Sequence, residues 1–190
     1  MDSKKRVGIA LCGSYCTYEQ VFREIEKLAE NYDLVPIMSD TAVGTDTRFG
    51  RAVDHIRHLA VLTGKTVVTT IEEAEPLGPI MPMDALVIAP CTGNTLAKLS
   101  NGVTDSAVIM AAKAHLRNGR PLVIAFSTND GLSASAENIA RLLNRKHIYF
   151  VPFRQDDPAK KPNSLQADFT LIGDTVEAAL RGEQIQPILV

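Results

Sequence analysis

Short apolar runs, each closed by a glycine or hydroxyl cluster and followed by a helical stripe, constrain this chain more than any other feature. Val7 to Cys12 ends at Gly13-Ser14 and reads as a strand buried on both faces. From Thr17 onward Val21, Phe22, Ile25, Leu28 and Ala29 recur at helical spacing, with Glu19, Arg23, Glu24, Glu26 and Lys27 opposite them. The alternation continues with a strand at Leu34 to Met38, a helix from Thr47 to Leu62 ended by Gly64, and a strand at Thr66 to Thr69. Strands are then predicted at Asp84 to Ala89, Pro121 to Phe126 and Ile148 to Val151, with helices at Thr95 to Leu116 and near Ala134 to Leu143. The tail, Ala167 to Leu180, offers one more short strand and a helix. This succession predicts a three-layer, doubly wound α/β fold, Rossmann-like or flavodoxin-like, with helices on both faces of a parallel sheet.

The 190 residues suit one domain spanning 1–190. Two stretches break the rhythm: Glu75 to Met83, with three prolines, and a loop-rich segment at 152–166, rich in Pro, Asp and Lys between Pro152 and Ser164. The second is too long for a mere connector, so it is either mobile or part of a site or subunit contact. A net charge of −2, with no basic run beyond Lys4-Lys5-Arg6, gives no field to attract nucleic acid. The first apolar run is too short for a signal-peptide core or a membrane span, so a cytoplasmic protein is expected. Three cysteines, Cys12, Cys16 and Cys91, argue for reduced thiols, and no second Cys/His pair completes a metal site.

Ligands of open parallel sheets bind outside the carboxyl ends of the strands, where loops deliver backbone N–H groups and helix N-termini. After the first strand stands Gly13-Ser14-Tyr15-Cys16-Thr17, in which Gly13 permits close approach and the hydroxyls of Ser14 and Thr17 could bond a phosphate or cap the next helix. No Gly-x-Gly-x-x-Gly follows, so a mononucleotide fits better than a dinucleotide. Ser39-Asp40-Thr41 supplies hydroxyls after the second strand. Further on, Pro90 ends a strand, Gly93 opens the backbone, and Asn94 and Thr95 present an amide and a hydroxyl where a helix begins, a turn suited to a planar heterocycle.

That segment, from Ala89-Pro90-Cys91-Thr92-Gly93-Asn94-Thr95 through Lys98 to Asp105, resembles the Pro-Ala-Ser-Ala-Asn-Thr motif and its extension in the homo-oligomeric flavin-containing Cys decarboxylase family. The resemblance runs over nearly the whole chain. It implies bound flavin mononucleotide (FMN), with Gly13, Ser14, Tyr15, Ser39, Pro90, Thr92, Gly93, Asn94, Thr95 and Ser127 as the residues holding it, and a homo-oligomer of three subunits or a multiple of three.

Departures from the family bear on the reaction. Its decarboxylases carry a His about where Pro76 stands here, and His55 and His58, one turn apart, read as a solvated or capping face. Of their Pro-x-Met-Asn after the fifth strand only Asn129 survives, and no Arg between Arg120 and Arg141 matches the flavin prenyltransferases. Ser127 to Leu132 and Lys161 to Leu165 resemble instead a branch that serves as the flavin (B) subunit of a two-subunit oxidoreductase. The resemblance implies that such a complex aromatises a dihydrodipicolinate-type dicarboxylate in sporulating bacteria, with NAD(P) on the A subunit. Asn94 and Asn129 are the catalytic or substrate candidates, with Lys160 and Lys161 beside them for the dianion, while the Cys91 thiol reads as packing. Two alternatives remain: an FMN-dependent decarboxylase of a cysteine-derived carboxylate, and a non-catalytic flavin-binding subunit that regulates a dehydrogenase.

Overall fold

The computed structural model describes residues 4–190. In chain order the elements are β1 (Arg6–Leu11), a 3-10 turn (Tyr15–Thr17), α1 (Tyr18–Asn31), β2 (Asp33–Met38), α2 (Asp40–Gly44), α3 (Ala52–Thr63) and α4 (Ile71–Ala74). They continue with β3 (Ala85–Cys91), α5 (Gly93–Asn101), α6 (Ala107–Arg117), β4 (Leu122–Thr128), α7 (Ala136–Leu143), β5 (Ile148–Phe150), β6 (Phe153–Gln155), β7 (Leu165–Ala167) and α8 (Ile172–Leu180).

Five strands run parallel in the order β2-β1-β3-β4-β5. The apolar runs explain this: every residue of β3 is buried, as a strand covered on both faces requires. Leu86, Val87 and Ile88 are fully enclosed, each contributing about 1.5–3 kcal/mol by leaving water. Helices α1 and α8 pack together on one face, while α6, with α4 and α5 against it, covers the other. The strand order reverses between β1 and β3, the switch point at which such sheets open a crevice. Among the described residues no helix is long and apolar enough to cross a membrane.

Several expected elements differ. Thr66 to Thr69 forms no strand: Val68 alone bridges to Ile37, accepting from Met38 N–H and donating to Pro36 C=O. The helix expected from Thr47 starts at Ala52, because Thr47 and Gly50 exchange hydrogen bonds and Asp46 accepts from the Ala52 N–H. The helix expected from Thr95 to Leu116 is two helices, since Gly102 in the left-handed region (φ 71°) caps α5 and Ser106 caps α6. Pro90 lies inside β3, where the register against β4 shifts between Ile88 and Cys91 and a residue without N–H is tolerated. The segment at 152–166 is an antiparallel hairpin, β6 and β7 joined by an exposed turn, and β7 pairs with the end of β4 at Ser127 and Thr128. The proline-rich content hid these strands, which are three residues each.

Candidate functional site

Three strand ends converge at the switch point. The Cys12 N–H donates to Pro90 C=O at 3.3 Å, joining the ends of β1 and β3. Ser14 adopts a left-handed backbone (φ 65°, ψ 46°), unusual for a residue with a side chain, and its hydroxyl donates to Ser127 C=O at 3.0 Å, joining β1 to β4. Ser14 therefore does not cap α1, and its hydroxyl proton is already engaged. Thr17 donates its hydroxyl to Ser14 C=O at 2.8 Å and is buried. Tyr15 donates its hydroxyl to Thr41 C=O at 2.8 Å and ties this loop to α2.

At the start of α5, Thr92 is the N-cap: its Oγ1 accepts from Thr95 N–H at 3.2 Å, and its carbonyl from Leu96 N–H at 2.9 Å. Among the described residues the N–H groups of Gly93 and Asn94 have no acceptor at the positive end of this nine-residue helix. Gly93 is there because a Cβ would stand 2.7 Å from both Ser135 Oγ and Thr128 Oγ1 and 3.1 Å from Asp130 Oδ1. The Asp130 carboxylate accepts from the Thr128 hydroxyl and from Ser135 Oγ. The Thr128 bond outweighs partial burial and holds that carboxyl below the usual carboxylate range, so it is ionised at neutral pH.

These loops enclose a cleft of about 500 Å³ lined by Ser14, Cys16, Thr92, Gly93, Asn94, Ser127, Thr128, Asn129 and Asp130. An adjoining hollow of about 230 Å³ shares Thr92 and Asn94 with it and adds Gly13, Ser39, Thr41, Thr95 and Lys98. Ser39 also caps α2 through Ala42 N–H, and Lys98 pairs with Asp105 at 2.9 Å. The structure thus brings Gly13, Ser14, Ser39, Thr92, Gly93, Asn94, Thr95, Ser127 and Asn129 to one continuous crevice. Two expected residues fall outside it. Pro90 is buried in β3, and Tyr15 lines an aromatic cavity of about 570 Å³, which meets the cleft at Cys16, with Tyr18, Phe22, Phe49, His55 and His58. His55 is half-buried with its ring 4.8 Å from that of Tyr18, whereas His58 is exposed, as a solvated face requires, and stacks 4.3 Å from Phe22.

Neither Lys160 nor Lys161 lines the crevice, and Lys161 pairs with Asp156 at 3.2 Å on the hairpin turn. Cys91 is buried and burial pushes its thiol up; the Cys12 thiol is likewise pushed up to about 11, so both stay protonated and pack. Sequence reasoning missed Cys16, Thr128, Asp130 and Lys98 as wall residues. Lys98 carried a usable signal, since it lies one helical turn after Asn94 and Thr95 and so shares their face.

The model of the Flavoprotein family matches residues 1–180. The chain belongs to the Flavoprotein family. This flavoprotein is 49% identical over 187 residues to the B subunit of dipicolinate synthase from Bacillus subtilis (strain 168), an overlap of 98% of the chain and 94% of that protein. Its fold is similar to the crystal structure of the dipicolinate synthase B subunit from Bacillus halodurans C, with a TM-score of 0.90, 47% identity, and 98% and 96% of the two chains covered. The FMN-dependent cysteine decarboxylase SpaF shares the fold at a TM-score of 0.64 and 22% identity, over 94% and 97% of the two chains.

Proposed function

We propose that the crevice holds FMN and that the chain acts as the flavin (B) subunit of a dipicolinate synthase. In this reading it supports oxidation of a dihydrodipicolinate-type intermediate to dipicolinate during sporulation, beside an A subunit that binds NAD(P). The observation that carries the reading is the pair of free N–H groups at Gly93 and Asn94, with the exposed Asn94 side chain standing between the two hollows. The relationship to the two B subunits supports the choice of reaction.

The donor set fits a flavin mononucleotide in kind. Backbone N–H groups and the Asn94 amide suit the hydrogen-bonding edge of the ring, and the hydroxyls of Ser39, Thr41 and Thr95 with the Lys98 ammonium suit a phosphate. When bound, the flavin supplies a reversible hydride acceptor, and the chain binds and orients what reacts with it. Asn129, exposed at the rim, offers a neutral amide to a substrate carboxylate. Asp130 holds the turn beneath Gly93. The active form is a closed homo-oligomer, a trimer or a multiple of trimers, in the mother-cell cytoplasm of a spore former.

The test mixes this chain and an A subunit, separately and together, with the cyclised intermediate and NADP, and follows the absorbance of the pyridine product. The expected result is FMN binding by this chain, no product from it alone, and product from the pair. Full activity from the A subunit alone would reduce this chain to an accessory. Release of carbon dioxide from an acyl-cysteine substrate by this chain alone would replace the reading with a decarboxylase.

A further inference from the structure

The turn that joins β6 to β7 is mostly exposed, yet its last residue, Ser164, is 3% exposed. Its hydroxyl oxygen lies 3.3 Å from Thr128 C=O and 3.4 Å from Asn129 Oδ1. Around it the backbone is fastened: Leu132 N–H donates to Asn163 C=O at 2.9 Å, and Ser127 and Thr128 pair with Gln166 and Leu165. The loop from Asn129 to Leu132 is thus gripped at both ends by the hairpin, while the Asn129 side chain stays exposed in the cleft.

We infer that Ser164 is a positioning residue, which turns the Asn129 amide so that its N–H donors, and not its carbonyl oxygen, meet a carboxylate of the bound dianion. The Ser164 hydroxyl faces two acceptor oxygens, so it serves as the donor and shares its one proton between Thr128 C=O and Asn129 Oδ1. An amide whose oxygen takes that hydrogen bond has both N–H groups left for a ligand, and a carboxylate can only accept. The inference rests on the dicarboxylate reading proposed above.

The experiment measures pyridine-2,6-dicarboxylate binding to the FMN-loaded chain by calorimetry for the wild type, Ser164→Ala, Asn129→Ala, the double variant and Asn129→Asp. Ser164→Ala is expected to weaken binding about three- to tenfold, the size of one hydrogen bond, with FMN affinity unchanged and a small drop in melting temperature from the lost bond to Thr128 C=O. The double variant should bind no more weakly than Asn129→Ala, because Ser164 acts only through Asn129. Asn129→Asp should bind more weakly than Asn129→Ala, since it sets a carboxylate against a carboxylate. Additive losses in the double variant would assign Ser164 an independent packing role, and Asn129→Asp binding as tightly as the wild type would put the oxygen toward the ligand; either overturns the inference alone. A wild-type chain that takes up FMN but no pyridine-2,6-dicarboxylate overturns the substrate reading and the role of Ser164 with it.

Discussion

Two hollows of similar size meet at Cys16, the polar cleft of about 500 Å³ and the aromatic cavity of about 570 Å³, and they differ in what their walls leave unbonded. In the aromatic cavity His55 Nε2 has no partner among the described residues, but several other polar groups serve one another. Tyr18 donates to Cys12 C=O at 2.6 Å, Arg23 pairs with Glu19, and His58 lies 4.0 Å from Glu26 while stacked on Phe22. In the polar cleft the N–H groups of Gly93 and Asn94 and the Asn94 amide have no partner among the described residues. Volume therefore does not separate a ligand site from a packing defect or contact face here. Unmatched donors at a helix N-terminus do, because such groups cost free energy until water or a ligand satisfies them.

The largest expected effect follows from Gly93→Val. Its Cβ would stand 2.7 Å from two hydroxyl oxygens, so the start of α5 is forced off the loop that carries Thr128 and Asp130. FMN uptake should fall at least about a hundredfold, with a stability loss on the order of 1–3 kcal/mol from overpacking. Flavin absorbance after desalting and a thermal melt measure both, and retained flavin would break the contrast at its strongest point. Asn94→Ala sharpens it further. The side chain is exposed and makes no hydrogen bond among the described residues, so its loss should weaken FMN binding up to about tenfold while leaving the melting temperature unchanged. A lower melting temperature with unchanged affinity would make Asn94 a structural turn residue.

The sequence carried the polar cleft far better than the aromatic cavity, and the reason is local. Strand, turn and helix start lie within a few residues at Pro90 to Thr95, so the pattern announces both the strand end and the donors beyond it. Tyr15 lies in the aromatic cavity because its direction depends on a bond to Thr41, 26 residues away, which no local pattern encodes. The hairpin at β6 and β7 escaped for a similar reason: strands of three residues are defined by pairing with β4, and prolines in the turn mask them. The break between α5 and α6 was legible, since Asn101-Gly102 is a helix-ending pair and Ser106 a capping residue before the next apolar run. Asp130 was unreadable as a wall residue because its place is set by Ser135 and by the close approach of Gly93.

The smallest expected effect tests the aromatic cavity by its pH dependence. Burial is the main influence on His55 and, with His58 nearby, holds its imidazole below the ordinary value of 6.5 against the opposing pull of Asp54. Its Nε2 has no hydrogen-bond partner and its ring meets the edge of Tyr18, so the neutral form is the one that packs. Above pH 6.5 both folded and unfolded chains carry a neutral ring. As pH falls through 6.5 the unfolded chain takes up its proton first, and stability drops until the folded value is passed, then levels. His115, buried and pushed down to about 4, adds a larger loss over the window from 6.5 to 4 and is untouched by changes at position 55. His55→Phe should therefore make the fall in melting temperature between pH 7 and pH 5 slightly shallower, without removing the part that belongs to His115. FMN affinity at pH 7 should be unchanged, because no group of this cavity is needed to satisfy the flavin. Lost flavin binding in His55→Phe, with the melt intact, would make the two hollows one site and dissolve the distinction drawn from their unbonded groups.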